Sequence, residues 1–209
     1  MSVPAFSQPA PRHTHDAWSG TGAVHEVDVP GATAAAQVML ACLGVDVDSE
    51  SLRRTPERMA LALAEMMTPR PFEMTTFPND GGYDELIVAR SIPVRSVCEH
   101  HMLPFVGSAH IGYLPGDRIV GLSKLARVME HFSRRPQVQE RLTTQVSNWL
   151  QGALGASGVG VVVEAEHLCM TLRGVQAPGT TTVTSSLLGV LRDDPRTRAE
   201  FLALTRVTP

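Results

Sequence analysis

At Glu85 the hydrophobic period of the chain changes, and that switch limits the folds open to it. Before it, apolar residues recur at helical spacing. Ala34 to Leu43 is a good helix former, with Thr33 as its expected N-cap and Cys42 on its apolar side, in the core. Thr55-Pro56 places a capping residue ahead of a proline suited to the first helical position. That helix runs through Met59, Leu63 and Met66 until Pro69 and Pro71 stop it. After Glu85, ELIVARSIPVRSV reads as one or two strands, FVGSAHIGYL as another, and RIVGL as a short one behind the turn Pro115-Gly116-Asp117. Two helices follow. The first is capped by Ser123 and buries Leu125, Val128, Met129 and Phe132; the second starts at Pro136 with Val138, Leu142, Val146 and Leu150 on one face. VGVVVEAEHLCM and TTTVTSSLLGV are strands, and Asp194-Pro195 opens a last helix through Phe201 and Leu204. Strands in hairpin-like runs with helices set apart make an α+β fold, not a doubly wound sheet.

Residues 1–30 are rich in Pro, Gly, Ser and His without sustained periodicity and read as a flexible arm. His13, His15 and His25 lie in it and read as solvated. The division expected is this arm, a helical region over 31–84 and a strand-rich domain over 85–209. A net charge of −3 supplies no basic field for nucleic acid. No apolar run approaches the roughly 20 residues of a membrane span. The N-terminus lacks the layout of a signal peptide, so a cytoplasmic protein is expected. Cys42, Cys98 and Cys169 suit a reducing compartment, where a thiol is a core residue, a ligand or a nucleophile before it is a disulfide partner.

Cys98-Glu99-His100-His101 is the densest chemical cluster. Two residues separate Cys98 from His101, so one turn can present sulfur and nitrogen to the same ion, and thiolate with imidazole suits zinc. Cys169, in His167-Leu168-Cys169, is the best third ligand; three protein ligands leave the fourth zinc position to water, as in catalytic sites. His100 and His167 are then left over as general acid or base groups. A structural zinc site closed by one of these histidines, or plain core residues, are the alternatives. Lys124 is the only lysine of the chain. With Arg127 it shares a face at the start of a helix, where free N–H groups and the helix dipole favour anions. Arg173 could add a guanidinium fork. A solvated helix face is the plainer reading of the Lys124–Arg127 pair. Glu140, beside Gln139 in a helical first turn, is equally readable as a dipole-stabilising carboxylate. His110 and His131 read as structural or surface residues, Tyr113 as a strand interior residue and Trp149 as helix packing.

CEHHMLPFVGSAHIGYLP, GLSKLARVMEHFSRRPQVQERLT, GVGVVVEAEHLCMTLRGVQ and TVTSSLLGVLRDDPRTRAEFL, in that order, resemble the GTP cyclohydrolase I family from about Ser51 to Arg206. The resemblance implies the tunnelling fold: antiparallel strands and paired helices, preceded by N-terminal helices. It implies a ring-shaped homo-oligomer, a decamer of two pentamers, with sites between subunits. It implies one Zn²⁺ per subunit on Cys98, His101 and Cys169, and His100 and His167 as the acid–base pair. Glu140 would anchor the guanine of GTP, with Gln139 beside it. Ser123, Lys124, Arg127 and Arg173 would hold the triphosphate and ribose, Ser123 also relaying a proton. The reaction implied is hydrolytic opening of the GTP imidazole ring, release of formate and rearrangement to 7,8-dihydroneopterin triphosphate, the first step of pterin and tetrahydrofolate synthesis. Leu61 and Ser108 depart from basic residues frequent in relatives, which touches a secondary phosphate contact. Arg58 matches a family position, as a salt bridge or a ligand contact. A paralogue that keeps the pocket as a nucleotide-binding or scaffold subunit is the alternative function.

Overall fold

The computed structural model describes residues 27–205. His13, His15 and His25, and most of the expected arm, lie outside these residues. The elements in chain order are α1 (Val29–Cys42), α2 (Thr55–Met67), β1 (Thr76–Pro78), β2 (Ile87–Cys98), β3 (Pro104–Leu114), β4 (Arg118–Val120) and α3 (Leu122–Ser133). Then come β5 (Pro136–Gln137), α4 (Gln139–Leu154), β6 (Gly158–His167), α5 (Leu168–Thr171), β7 (Thr181–Gly189), α6 (Val190–Asp193) and α7 (Pro195–Thr205). The fold is α+β, as the period switch implies.

Five strands form the main sheet in the order β5-β2-β3-β6-β7. β5 runs parallel to β2; the other neighbours are antiparallel. β1 and β4 make a separate two-stranded ribbon. One sheet face presents Ile111, Tyr113, Val159 and Val161 to Leu125, Val128 and Met129 of α3 and to Leu142, Val146 and Leu150 of α4, all of them fully buried or nearly so. The amphipathic stripes read from the sequence are therefore the core. Tyr113 is buried, and its hydroxyl accepts from Val120 N at 3.0 Å. Trp149 packs against Phe72 and Phe132, with ring centroids 5.6 and 6.4 Å away.

Several local expectations are corrected. α1 begins at Val29, not Ala34, because Asp28 and not Thr33 caps it: the Asp28 carboxylate accepts from Gly31 N at 2.9 Å, and Pro30 fits the first turn. Cys42 is exposed, not core, because α1 packs chiefly on α2 and buries only Ala36. Thr55 is the first residue of α2, and Arg54 occupies the cap. Gly121, not Ser123, is the N-cap of α3. The helix placed at Pro136 starts at Gln139, since Pro136 and Gln137 pair with Val97 and Cys98. The strand ending in His167 turns at once into α5, which carries Cys169. Arg58 makes no ion pair among the described residues; it donates to Ser51 O at 3.2 Å and Thr55 Oγ1 at 3.1 Å.

A pair of glycines shapes the back of the sheet. Gly112 of β3 and Gly160 of β6 stand opposite each other. A Cβ on either would lie 2.7 Å from the Phe201 ring, so the missing side chains make the notch in which this fully buried aromatic of α7 sits. Gly160→Ala is expected to destabilise the protein by about 1–3 kcal/mol through overpacking, whereas Gly81→Ala, which meets nothing within 4 Å, should be near neutral. Urea midpoints measure the contrast. His110, 2% exposed, has its pKa lowered, first by burial and then by Arg90, against an opposing pull from Glu164. Its neutral ring is compatible with folding above its ordinary pKa, so its contribution is lost as pH falls below about 6.5. The Tm of the protein should drop on acidification from pH 7 to 5, and less steeply in His110→Gln.

Candidate active site and metal centre

The sheet register builds the site. Cys98 is the last residue of β2, and the tight turn after it is closed by Met102 N donating to Cys98 O at 2.8 Å and Cys98 N donating to Leu103 O at 2.8 Å. Met102 takes a positive φ of 53° there. Val97 pairs with Pro104 on β3, and Phe105 pairs with His167 on β6. Two residues beyond His167, α5 turns Cys169 back toward Cys98, and the two sulfurs lie 3.9 Å apart. Both cysteines are buried and neither forms a disulfide.

Cys98, His167 and Cys169 each offer a ligand atom, all within 4.8 Å of one another, so this Cys–His–Cys group could hold a metal ion. Zn–S bonds of ~2.3 Å at the tetrahedral angle put two sulfurs about 3.8 Å apart, which the observed 3.9 Å matches. A sulfur and a nitrogen on the same ion would stand about 3.6 Å apart. His101 Nδ1 is 3.8 Å from Cys98 Sγ and His100 Nδ1 is 3.9 Å from it, although both histidines fall outside the three-residue group. The Cys169 thiol is pushed up, first by burial and then by the hydrogen bond and charge of Cys98 beside it, with Arg173 opposing. A buried thiol that holds its proton, with a second thiol beside it, is a donor set that a divalent cation converts to thiolates.

The rest of the predicted site falls into two groups. His167 stacks on Phe105, with centroids 4.6 Å apart and planes 11° apart. Its Nε2 is 2.8 Å from Gln139 Oε1. Burial lowers its pKa, and the Glu140 carboxylate pulls the other way. Glu140 itself is exposed in the first turn of α4, whereas Gln139 is 1% exposed. Glu99 bridges His100, 3.8 Å away, and the Arg141 guanidinium. The sequence offers Arg141 as a surface partner for Glu140 and gives Glu99 no role; folding pairs Arg141 with Glu99 instead. The second group is on α3. Ser123 and Arg127 are exposed, and Lys124 with Arg127, Pro71, Phe72 and Glu73 lines an open cleft of about 470 Å³. Gly121 supplies no side chain to cap α3, and its carbonyl accepts from Lys124 N at 2.8 Å, so the N–H groups of Leu122 and Ser123 are the ones available. The other end of α3 is tied to β2 next to Cys98: Ser96 Oγ donates to Ser133 O at 2.7 Å. Ser123 and Ser133 are ten residues apart on α3, hence roughly 15 Å along its axis. One chain therefore holds the sulfur cluster and the Lys124 cleft at opposite ends of a helix.

The family model described as GTP cyclohydrolase I matches residues 32–206, with its match beginning well before Ser51. The chain belongs to the GTP cyclohydrolase I family. A GTP cyclohydrolase 1 of Synechococcus sp. (strain JA-3-3Ab) is 49% identical over 181 residues, 85% of this chain and 79% of the relative. That of Aquifex aeolicus is 49% identical over 172 residues, 82% of this chain and 94% of its own. The Homo sapiens GTP cyclohydrolase 1 is 43% identical over 217 residues, 98% of this chain and 87% of its own.

Membership of the GTP cyclohydrolase I family leaves the third metal ligand to measurement. His167 is held by Phe105 and Gln139, whereas His101 sits exposed on the turn near the ideal distance from Cys98. Zinc content by atomic absorption should fall at least tenfold in Cys98→Ser, Cys169→Ser and His101→Ala, and persist in His167→Ala. Zinc lost from His167→Ala and kept in His101→Ala would exchange the two roles.

Proposed function

We propose that the chain is a zinc-dependent GTP cyclohydrolase I that converts GTP to 7,8-dihydroneopterin triphosphate and formate. The observation that carries this reading is the meeting of Cys98, Cys169 and the histidines at one end of the sheet, on a chain of that family. Relatives at 43–49% identity bear the name GTP cyclohydrolase 1.

Cys98, His101 and Cys169 would hold the ion, whose Lewis acidity makes water a competent nucleophile at neutral pH. The chain's own groups supply the rest. Glu140 accepts from N1–H and the 2-amino group of guanine together, a bidentate match that its exposed carboxylate allows. His100 and His167 flank the five-membered ring; one protonates N7 as water adds at C8 and the ring opens, and the pair exchanges protons again as the formyl group is hydrolysed to formate. Lys124, Arg127 and Arg173 neutralise the triphosphate, with the free N–H groups of α3. Ser123 relays a proton while the ribose opens, rearranges and closes onto the amine. Gln139 stands beside Glu140 at the head of α4.

We further propose the tunnelling fold and a ring-shaped homo-oligomer, a decamer of two pentamers, with the site between subunits. The separation of the sulfur cluster from the Lys124 cleft supports this, because a neighbouring copy can bring one to the other. So do the outer strand β7, with Val183 exposed on it, and the exposed Leu172 and Val175 a few residues past Cys169. A cytoplasmic setting fits the two unbridged thiols; among the described residues no helix is long and apolar enough to cross a membrane.

Purified, zinc-loaded protein is expected to release formate from GTP and to give a fluorescent neopterin derivative after oxidation. His100→Ala and Cys169→Ser should lower the rate by at least 100-fold, within the range of general acid–base contributions. GTP binding without formate release in the native protein would replace this reading with a nucleotide-binding paralogue. Light scattering on the same sample should give a mass near ten subunits.

A further inference from the structure

The Gln139 side chain is placed to do something other than touch substrate. It is 1% exposed, and both ends of its carboxamide are engaged. Nε2 donates to Val163 O at 3.1 Å on β6 and to Thr182 O at 2.8 Å on β7, with Thr184 Oγ1 at 3.2 Å. Backbone carbonyls only accept, so these two contacts fix which end of the amide is nitrogen. Oε1 therefore faces His167 Nε2 at 2.8 Å. An amide oxygen only accepts, so the proton in that bond belongs to His167. In the neutral ring the lone pair is then on Nδ1.

We propose that Gln139 is a positioning residue that holds His167 as its Nε2–H tautomer, leaving Nδ1 as the nitrogen that exchanges protons with the substrate. Phe105 fixes the plane of the ring by stacking, and Gln139 fixes which edge of it is chemically active. The carboxamide is anchored to β6 and β7, while its backbone opens α4 next to Glu140. One residue thus sets the histidine and the first turn that carries the guanine carboxylate in a single frame. The proposal rests on reading His167 as an acid–base group.

The test is nitrogen NMR on protein labelled at histidine, before and after zinc loading, with His167→Asn used to identify the His167 signals. The expected spectrum at neutral pH has protonated Nε2 and unprotonated Nδ1 on His167 in both samples. In Gln139→Met the Nε2–H signal should broaden through exchange with water. Its kcat should fall about 10- to 100-fold, as for other supports of active-site histidines, with KM for GTP nearly unchanged. A proton on Nδ1 in the unmutated protein overturns the proposal. So does a Gln139→Met enzyme that keeps kcat and raises KM, because the carboxamide would then be a guanine contact. If Gln139→Met fails to fold, the spectrum of the unmutated protein decides alone. That spectrum does not require turnover, so failure of formate release and failure of this proposal are separate results.

Discussion

The register of β3 between β2 and β6 governs everything at the chemical end of this molecule. β3 pairs Pro104 with Val97 on one side and Phe105 with His167 on the other. A slip of one residue on either side would turn every side chain of that strand to the opposite face. Cys98 and Cys169, 71 positions apart in sequence, meet only because both strands end at the same level of the sheet. The ten-residue pairing of β3 with β6 and the burial of alternate residues under α3 and α4 make that register the low-energy one. The geometry of the Cys–His–Cys group is thus inherited from an ordinary hydrophobic alternation.

Behind the site the packing changes character. Where α4 crosses β7, hydroxyls meet hydroxyls: Thr143 with Thr184 and Ser147 with Ser186, each at 2.7 Å. Buried hydroxyls of this kind hold one geometry well when satisfied and cost a great deal when not. Gln139 heads this seam, so the residue beside His167 is tied to an outer strand by directional bonds and not by interchangeable apolar contacts. Arg141, two residues along, links Gln137 to Glu99 and through it approaches His100.

Much of this was legible in the sequence, for identifiable reasons. The change of period at Glu85, the apolar stripes of α3 and α4 and the Cys98–His101 spacing are local patterns with direct physical meaning. Helix starts were less legible, because several caps competed: Asp28 with Thr33, and Gly121 with Ser123. Cys42 was misjudged because an apolar helix face looks the same in a sequence whether or not the same chain covers it. The link from Gln139 to His167 could not be read, since it depends on two strands and a helix closing around one side chain. Nor could the Glu99–Arg141 contact, which joins residues 42 positions apart.

The notch formed by Gly112 and Gly160 has a consequence for synthesis. Its plug, Phe201, lies on α7, the last of the described elements in chain order. β7, which completes the sheet, is also made late. Domains form as units during translation, and non-local pairings pay their loop-closure entropy before they are rewarded. A nascent chain on the ribosome can therefore assemble the β2–β3 hairpin and α3, but the back of the sheet stays open until its last segment emerges. A polypeptide cut short before Phe201 would leave its apolar interior exposed at that notch, a substrate for chaperones and proteases before it is an enzyme.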